Sequence, residues 1–291
     1  MTGARLSEPL LLPGTTLGTT YTVEAFLGAG AFGQVYRVTH RYLGRQAIKI
    51  FPAGGLDPAR DFLHEARVLV ALTHPNIVRI FDANVAETPH GPLPYLAMEY
   101  IEGETIGRLL ERRVRLGFAE ANALAEDLCA GLSEAHKLEP PLLHLDLTTG
   151  NILVIERGGR LHAKIADFGI AAQVHPTTRM ARATGTYYFM APEMFWGYAT
   201  PASDVYMLGF IVYWLYAGLP PYPVPTLPEG ASAQDWADAI QRSRNTPAPP
   251  LARFRLDVPT ATTELIAKAL SPDPAHRFPN AMMFWAALRA A

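Results

Sequence analysis

The sequence has almost no cysteine: Cys129 is the only one in 291 residues. A chain with one cysteine cannot form an intramolecular disulfide, and this usage is typical of proteins of the reducing cytosol. Cys129 lies in an apolar helical pattern over residues 124–138, so we interpret it as a packing residue and not as a reactive thiol. We therefore expect a cytoplasmic protein without a disulfide framework.

Long apolar runs are also missing. No stretch approaches the roughly 20 uninterrupted apolar residues of a membrane span. The most apolar segment, residues 205–219, is shorter and predicts a buried helix. Near the N-terminus, the three leucines at 10–12 end at Pro13, which makes them too short for the core of a signal peptide. We expect neither a membrane span nor a secretory signal.

An excess of charge of either sign is absent too. The chain has 25 Lys and Arg residues against 27 Asp and Glu residues, a formal net charge of −2. Without a basic field, nucleic acid is not an expected partner. The hydrophobic content of 49% over this length is enough for one large domain or two lobes.

A glycine-rich stretch follows the first predicted strand, residues 21–27. Gly28, Gly30 and Gly33 have the spacing G-x-G-x-x-G. Glycines let the backbone approach phosphates closely and leave amide N–H groups facing anionic oxygens. The same spacing opens a helix in Rossmann folds, whereas here the residues from Val35 alternate as a second strand. The pattern favours a phosphate-binding hairpin, and on the motif alone the Rossmann alternative stays open.

A lysine in an apolar strand precedes a helix that carries a glutamate. Lys49 lies in the third predicted strand, and burial of a lysine is costly unless the ammonium is paired. Residues 57–72 predict an amphipathic helix, and Glu65 lies beside its apolar stripe. We expect Glu65 to pair with Lys49 and fix the ammonium for phosphate binding. The alternative is a surface lysine on an edge strand.

Candidate catalytic and metal-binding residues are concentrated in residues 144–151. Asp146 and Asn151 are five positions apart, and Asp167 follows a predicted hairpin with Gly158 and Gly159 at its turn. One aspartate can take a hydroxyl proton, while the asparagine and the second aspartate can hold Mg²⁺. This is the apparatus of phosphoryl transfer.

In this order the motifs resemble those of the protein kinase superfamily, in particular the bacterial eukaryotic-like Ser/Thr protein kinases. The resemblance implies an α+β, bilobal protein kinase fold over residues 21–291. A small β-rich N-lobe with one helix would span about residues 21–101, and a larger α-helical C-lobe about 102–291. We expect residues 1–20 to be a loose leader. We expect no appended domain, so that regulation acts on the kinase domain or through a separate protein.

The resemblance also implies roles for single residues. Asp146 would accept or orient the substrate hydroxyl proton, with the Lys49–Glu65 pair at the phosphates. Asn151 and Asp167 would hold Mg²⁺ or Mn²⁺. The residues implied in ATP binding are Leu27, Gly28, Gly30, Gly33, Val35, Ala47, Lys49, Met98, Glu99, Ile101 and Leu153. Within this set Met98 is the gatekeeper, and the backbones of Glu99 and Ile101 bond the adenine.

Further positions would support residues 144–151, called here the catalytic stretch. Glu193 and Arg277 are expected to form a buried ion pair, and Asp204 to cap the backbone of residues 144–151. Gly169 is expected to let the backbone turn sharply after Asp167. Thr186 would bond the catalytic aspartate, which indicates Ser/Thr substrates.

Three positions depart from the family pattern. Leu145 stands where many kinases carry an arginine that binds a phosphothreonine, and Ala172 stands where a basic residue is common. We therefore predict activation that does not depend on phosphate binding there. Thr148 replaces the usual lysine of the catalytic loop. Loss of that charge predicts a phosphoryl step slower by roughly 10–1000-fold, the scale of one transition-state donor.

The leading hypothesis is ATP-dependent phosphoryl transfer to Ser/Thr hydroxyls of protein substrates, including the chain itself. One alternative is a nucleotide-binding pseudokinase or scaffold, favoured by Leu145 and Thr148. Another is a small-molecule kinase of related fold. Thr186 and the segment Ala191-Pro192-Glu193, which builds a peptide platform in protein kinases, argue against the latter.

Overall fold

The computed structural model describes residues 8–30, 33–51, 66–88, 90–113, 115–168, 187–228 and 230–291. They belong to two compact units. The first contains most of the chain before Glu102, and the second contains the rest of the described chain together with His74–Ile77. Within the described ranges, no helix is both long enough and apolar enough to cross a bilayer.

The first unit is built on an antiparallel sheet of six strands in the order β1-β2-β3-β4-β6-β5. The strands are β1 Thr16–Leu17, β2 Tyr21–Gly30, β3 Gly33–His40, β4 Gly44–Ile50, β5 Ile80–Thr88 and β6 Gly91–Glu99. Residues 66–71 are helical. The strands predicted around the glycine-rich stretch and Lys49 are thereby confirmed.

Strand alternation gives this sheet two different faces. Side chains of directly paired residues lie on the same face, and successive residues point to opposite faces. Tyr36 pairs with Ile48, and Ile50 pairs with Tyr95. All four belong to one buried apolar cluster. The intervening residues, Val35 and Lys49 among them, therefore lie on the other face.

The N-terminal segment, defined here as residues 8–17, packs on the apolar face. Leu11 and Leu17 are buried members of the same cluster, while Leu12 between them is 67% exposed. β1 pairs with the start of β2, and the N–H of Gly14 donates to the carbonyl of Val23 at 2.8 Å. The expectation of a loose leader is therefore wrong for these residues, because their leucines complete a core that the sheet alone leaves uncovered.

The second unit is mainly helical. Its helices are α1 Ile106–Arg112, α2 Phe118–His136, α3 Pro201–Ala217, α4 Ala233–Arg244, α5 Thr260–Ala269 and α6 Ala281–Arg289. Short 3-10 turns lie at Pro192–Trp196, Leu251–Arg253 and Pro274–His276. A small antiparallel sheet has the order β7-β8-β9, with β7 Glu104–Thr105, β8 Ile152–Arg157 and β9 Arg160–Ile165.

The predicted elements of this unit are confirmed, with boundaries displaced by a few residues at most. Gly158 and Gly159 make the β8–β9 turn with φ of 61° and 73°, the left-handed conformation that a two-residue hairpin requires. α3 is buried along nearly its whole length. Cys129 lies buried inside α2, and this burial raises the pKa of its thiol. A protonated, enclosed thiol fits the packing role predicted for it.

Candidate active site

One half of the predicted site lies on the second face of the six-stranded sheet. Val35 pairs with Lys49 across β3 and β4, and Ala47 pairs with Met98 across β4 and β6. By strand alternation these four side chains share one face. Lys49 is only 9% exposed, and its Nζ lies 5.6 Å from the centre of the Phe51 ring. The sheet therefore presents an apolar surface that contains a buried cation.

The glycines differ in what their surroundings require. At Gly33, a Cβ would lie 2.2 Å from the carbonyl oxygen of Ile50, so only glycine fits. At Gly28 and Gly30, a Cβ would meet no atom of the described residues within 4 Å. Protein packing does not explain glycine at these two positions. A phosphate group approaching the backbone would explain it, and this supports the expected role of the stretch.

The remaining positions of this half are a bulge in β2 and the end of β6. Leu27 is unpaired in a bulge between the pairs Phe26–Tyr36 and Gly28–Val35, and it is 45% exposed. The N–H of Glu99 donates to the carbonyl of Arg79 at 2.8 Å. Of the Glu99 backbone, only the carbonyl is therefore suited to bond an adenine amino group. Ile101 follows Glu99 just beyond β6 and is half-buried.

The catalytic stretch in the second unit brings Asp146 and Asn151 together. The Asn151 side-chain NH₂ group donates to the Asp146 carboxylate at 2.9 Å and to the Asp146 backbone carbonyl at 2.8 Å. The NH₂ group therefore faces Asp146, and the amide oxygen on the other branch of the same carbon faces away. Amide and carboxylate oxygens are the hard ligands that Mg²⁺ prefers. This donor set fits the metal role expected of Asn151.

Asp204, at the start of α3, holds the backbone of this stretch. Its carboxylate accepts from the N–H of His144 at 2.7 Å and from that of Leu145 at 2.9 Å. The prediction that Asp204 caps the loop is confirmed. His136 adds a third donor, since its Nε2 lies 3.0 Å from the same carboxylate. The N–H of Ala281 donates to His136 Nδ1, so the proton must lie on Nε2.

His144 has a structural place. It is fully buried, its Nε2 lies 2.9 Å from the Ala166 carbonyl, and its Nδ1 accepts from the Asp146 N–H. Its ring contacts Phe168 with centroids 4.7 Å apart. Both ring nitrogens are used by backbone groups, so His144 fits a structural role and not that of a metal ligand or general base.

Asp167 has a backbone φ of 60°. A non-glycine residue in this left-handed region carries strain of about 1–3 kcal/mol, and such strain is concentrated at functional sites. The sequence assigned the sharp turn to Gly169, which lies outside the described residues. The prediction for Gly169 is therefore untested, whereas Asp167 itself is left-handed, and this conformation sets the direction of its carboxylate.

The departures from the family pattern have defined surroundings. Leu145 is 6% exposed with a φ of 58°, so an apolar side chain fills this position. Thr148 is half-buried one turn before Asn151, whose N–H donates to its carbonyl at 3.1 Å. Leu153 is half-buried on β8 between buried Ile152 and Val154, so it points away from the core that they fill.

The predicted Glu193–Arg277 ion pair is confirmed as a bidentate contact of 2.7 and 2.8 Å. Arg277 also donates to the carbonyls of Ser271, Ala202 and Pro272, so all five of its N–H donors are used. Its guanidinium lies 4.7 Å from the Tyr206 ring centre, and burial raises the pKa of that phenol.

Several predicted residues lie outside the described residues. They are Glu65, Thr186, Gly169 and Ala172. Thr177, Thr178 and Thr184, in the segment between Gly169 and Ala191 that corresponds by resemblance to the activation segment of kinases, also lie outside them. The Lys49–Glu65 pair and the role of Thr186 therefore stay predictions.

Sequence reasoning missed two residues. His136 supports Asp204 from a position 68 residues away, and its only sequence signal is a histidine at the end of an apolar helix. Gln34 is fully buried beside the glycine-rich stretch. A polar residue in an alternating strand normally indicates a solvent-facing position, so the pattern predicted the opposite for Gln34.

Comparison with known proteins identifies relatives of this arrangement. The family described as protein kinase domain matches residues 21–285. The serine/threonine-protein kinase PknB of Mycolicibacterium smegmatis is 32% identical over 277 residues, covering 91% of this chain and 42% of PknB. The serine/threonine-protein kinase PknA of Mycobacterium tuberculosis is 34% identical over 274 residues, covering 91% of this chain and 59% of PknA. The chain thus spans about half the length of these relatives.

A solved structure resembles the fold over nearly the whole chain. The kinase domain of Mycobacterium tuberculosis PknI matches with a TM-score of 0.68 and 27% sequence identity. The match covers 96% of this chain and 99% of the PknI domain. The β-rich first unit and the helical second unit have the organisation expected of an N-lobe and a C-lobe.

Proposed function

Because the chain belongs to the protein kinase domain family, we propose that it transfers the γ-phosphoryl group of ATP to Ser and Thr hydroxyls of proteins, itself included. The observation that carries the proposal is the pair of hydrogen bonds from Asn151 to Asp146. They orient a carboxylate and a cation-binding amide from one short loop, as phosphoryl transfer requires. The names of the relatives point to the same activity.

The first unit supplies the groups that bind ATP. Val35, Ala47 and Met98 offer apolar surface to the adenine, and the Glu99 carbonyl with the Ile101 N–H offers the polar edge. Lys49 binds the α- and β-phosphates, and its burial strengthens the attraction to them because water screens it poorly. The backbone amides around Gly28 and Gly30, where no described atom crowds the α-carbon, would bind the phosphates.

The second unit supplies the groups that act on the transferred phosphoryl. Asp146 orients the substrate hydroxyl toward phosphorus and takes its proton late. Carboxylates are weak bases toward an alcohol proton at neutral pH, so positioning and charge neutralisation are the main catalytic contributions. Asn151 and Asp167 would hold a divalent metal ion, which when bound would supply positive charge to offset that of the phosphate groups.

Three observations from the sequence refine the proposal. Thr186, which by resemblance to the family would bond Asp146, favours Ser and Thr over Tyr as acceptors. A kinase that uses ATP works where ATP is abundant, so we propose a cytoplasmic location. Leu145 precedes Asp146 where many kinases have an arginine that binds a phosphothreonine. The kinase is therefore of the non-RD type, which lacks this Arg-Asp pair. We propose control by a separate regulatory protein in place of loop phosphorylation.

The test is phosphate transfer from labelled ATP by the purified chain, with casein and myelin basic protein as acceptors. Asp146→Ala should abolish transfer, because it removes the group that orients the hydroxyl. Binding of Mg-ADP, measured by calorimetry on the same samples, should survive this change. Nucleotide binding without transfer by the wild type would favour the pseudokinase alternative, which gains no support from the named relatives. Transfer only to small hydroxyl compounds would favour a small-molecule kinase.

A further inference from the structure

The buried amide of Gln34 is unusual for its position. Gln34 is the second residue of β3, directly after Gly33, and it is completely buried. By alternation its side chain lies on the apolar face of the sheet, opposite to Val35. Burying an amide without partners costs free energy. The Gln34 amide therefore needs hydrogen-bond partners on a face that is otherwise filled by apolar side chains.

Those partners come from the N-terminal segment. The N–H of Leu10 donates to Gln34 Oε1 at 2.8 Å, and Gln34 Nε2 donates to the carbonyl of Glu8 at 2.8 Å. One amide thus bonds the carbonyl of residue 8 and the N–H of residue 10, as the peptide group of a neighbouring strand would. Pro9 lies between them and has no N–H to satisfy.

Tyr36 completes the connection two residues along β3. Its hydroxyl donates to Gln34 Oε1 and accepts from the N–H of Leu11 at 3.1 Å. His90, in the β5–β6 turn, has its Nε2 3.2 Å from the Leu10 carbonyl. Residues 8–11 are thus tied to β3 by hydrogen bonds that are buried at Tyr36 and partly buried at Gln34, in addition to the apolar packing of Leu11.

Gln34 lies between two residues of the ATP-binding face. Gly33 precedes it with its α-carbon against the Ile50 carbonyl, and Val35 follows it on the adenine-binding side. Because hydrogen bonds on the apolar face hold the Gln34 side chain, they also restrain the backbone of Gly33 and Val35. The end of the glycine-rich stretch is thereby fixed before nucleotide binds.

We propose that Gln34 is a positioning residue that couples the N-terminal segment to the glycine-rich stretch and so sets the affinity for ATP. The proposal rests on the proposed ATP binding. Release of the segment makes the root of the hairpin mobile, so that only a fraction of molecules has it in the binding geometry. Apparent affinity falls by that fraction. Anything that detaches residues 8–11 weakens nucleotide binding without touching a catalytic group.

The experiment compares Mg-ADP affinity, by calorimetry, in the full chain and three variants. Gln34→Leu keeps the volume and removes the amide, and Tyr36→Phe removes only the hydroxyl. Gln46→Leu is the matched control, because Gln46 is also buried on this sheet and its Oε1 has no hydrogen-bond partner within the described residues. Hydrogen exchange at the amides of Leu10 and Leu11 reports whether the segment is released.

We expect Gln34→Leu to weaken Mg-ADP binding about 3–10-fold, as for a site that is competent a third to a tenth of the time. Tyr36→Phe should act in the same direction, and Gln46→Leu should leave affinity unchanged. The KM for ATP should rise in Gln34→Leu while kcat at saturating ATP stays near the wild-type value. If Gln34→Leu does not fold, Tyr36→Phe carries the test.

Two outcomes would overturn the proposal in different ways. Unchanged Mg-ADP affinity in a variant whose Leu10 and Leu11 amides exchange faster would show that the segment does not act on the site. If Gln46→Leu lost as much Mg-ADP affinity as Gln34→Leu, the loss would come from general disruption of packing and not from the Gln34 bonds. Absence of nucleotide binding in the wild type would instead overturn the proposed function itself, and the role of Gln34 with it.

Discussion

The groups proposed for catalysis are held in place by backbone-directed hydrogen bonds. Asn151 bonds both the carboxylate and the carbonyl of Asp146, and Asp204 bonds the N–H groups that precede Asp146. Thr148 lies between Asp146 and Asn151 and brings no charge, although a phosphoryl group about to transfer is strongly anionic. The strength of the activity therefore depends most on this one position.

Replacing Thr148 by lysine should raise the turnover number. The added ammonium can bind the γ-phosphoryl oxygens, and one such donor contributes on the order of 10–1000-fold. Steady-state kinetics with a generic protein acceptor measures the change. Thr148→Met is the control, because methionine has nearly the length of lysine without the charge. A turnover number that does not rise in Thr148→Lys would mean that the metal and Lys49 already suffice.

At the scale of elements, each of the two units is stabilised by internal contacts, and these contacts differ in kind between the units. The 3-10 turn Pro192–Trp196 is tied to the end of the chain by the Glu193–Arg277 pair, with Arg277 fully enclosed. The first unit instead relies on an apolar cluster that the N-terminal segment completes. A buried ion pair and a buried leucine differ in how they respond to truncation, and each can be tested.

Arg277→Met should lower the free energy of unfolding by about 3–5 kcal/mol, because it leaves the Glu193 carboxylate without its partner in a largely buried place. Denaturant titration followed by circular dichroism measures this loss. Arg112→Met serves as the comparison. The Arg112–Glu104 pair is exposed, with side-chain exposures of 62% and 31%, and such pairs contribute about 0–1 kcal/mol. Equal effects in the two variants would contradict the assigned burial.

Leu11→Ala should destabilise the chain by about 2–5 kcal/mol, the usual range for a core leucine. Leu12→Ala, one residue along, should change stability by no more than about 0.5 kcal/mol because its side chain faces solvent. Thermal or urea unfolding of the two variants makes the comparison. If Leu11→Ala is as harmless as Leu12→Ala, the N-terminal segment is not part of the core.

For the whole molecule, the order of motifs was sufficient to predict the fold and the catalytic loop. Asp204 and Arg277 could be predicted because each occupies a recognisable place in that order. The environment of Gln34 and the partnership of His136 with Asp204 could not. Both depend on which distant segment covers them, and strand or helix periodicity reports only which face a side chain is on. The expectation that residues 1–20 form a loose leader was wrong for residues 8–17 for the same reason.

Regulation is also a property of the whole molecule. Leu145 is buried and apolar at the position where a cation would bind a phosphothreonine. The triple variant Thr177→Ala, Thr178→Ala, Thr184→Ala should therefore keep most of its kinase activity. Thr186→Ala in the same segment should reduce activity about tenfold or more, the scale of losing one positioned hydrogen bond at the site. Complete inactivity of the triple variant would contradict the prediction.

We propose above all that this chain is an active Ser/Thr kinase and not only a nucleotide-binding fold. The most direct measurement is mass-spectrometric mapping of phosphate on the purified chain after incubation with Mg-ATP, with Asp146→Ala as the blank. We predict phosphoserine or phosphothreonine on the wild type and none on Asp146→Ala, while both bind nucleotide. A wild type that binds nucleotide and stays as unphosphorylated as the variant, and transfers nothing to an added protein acceptor, would contradict it.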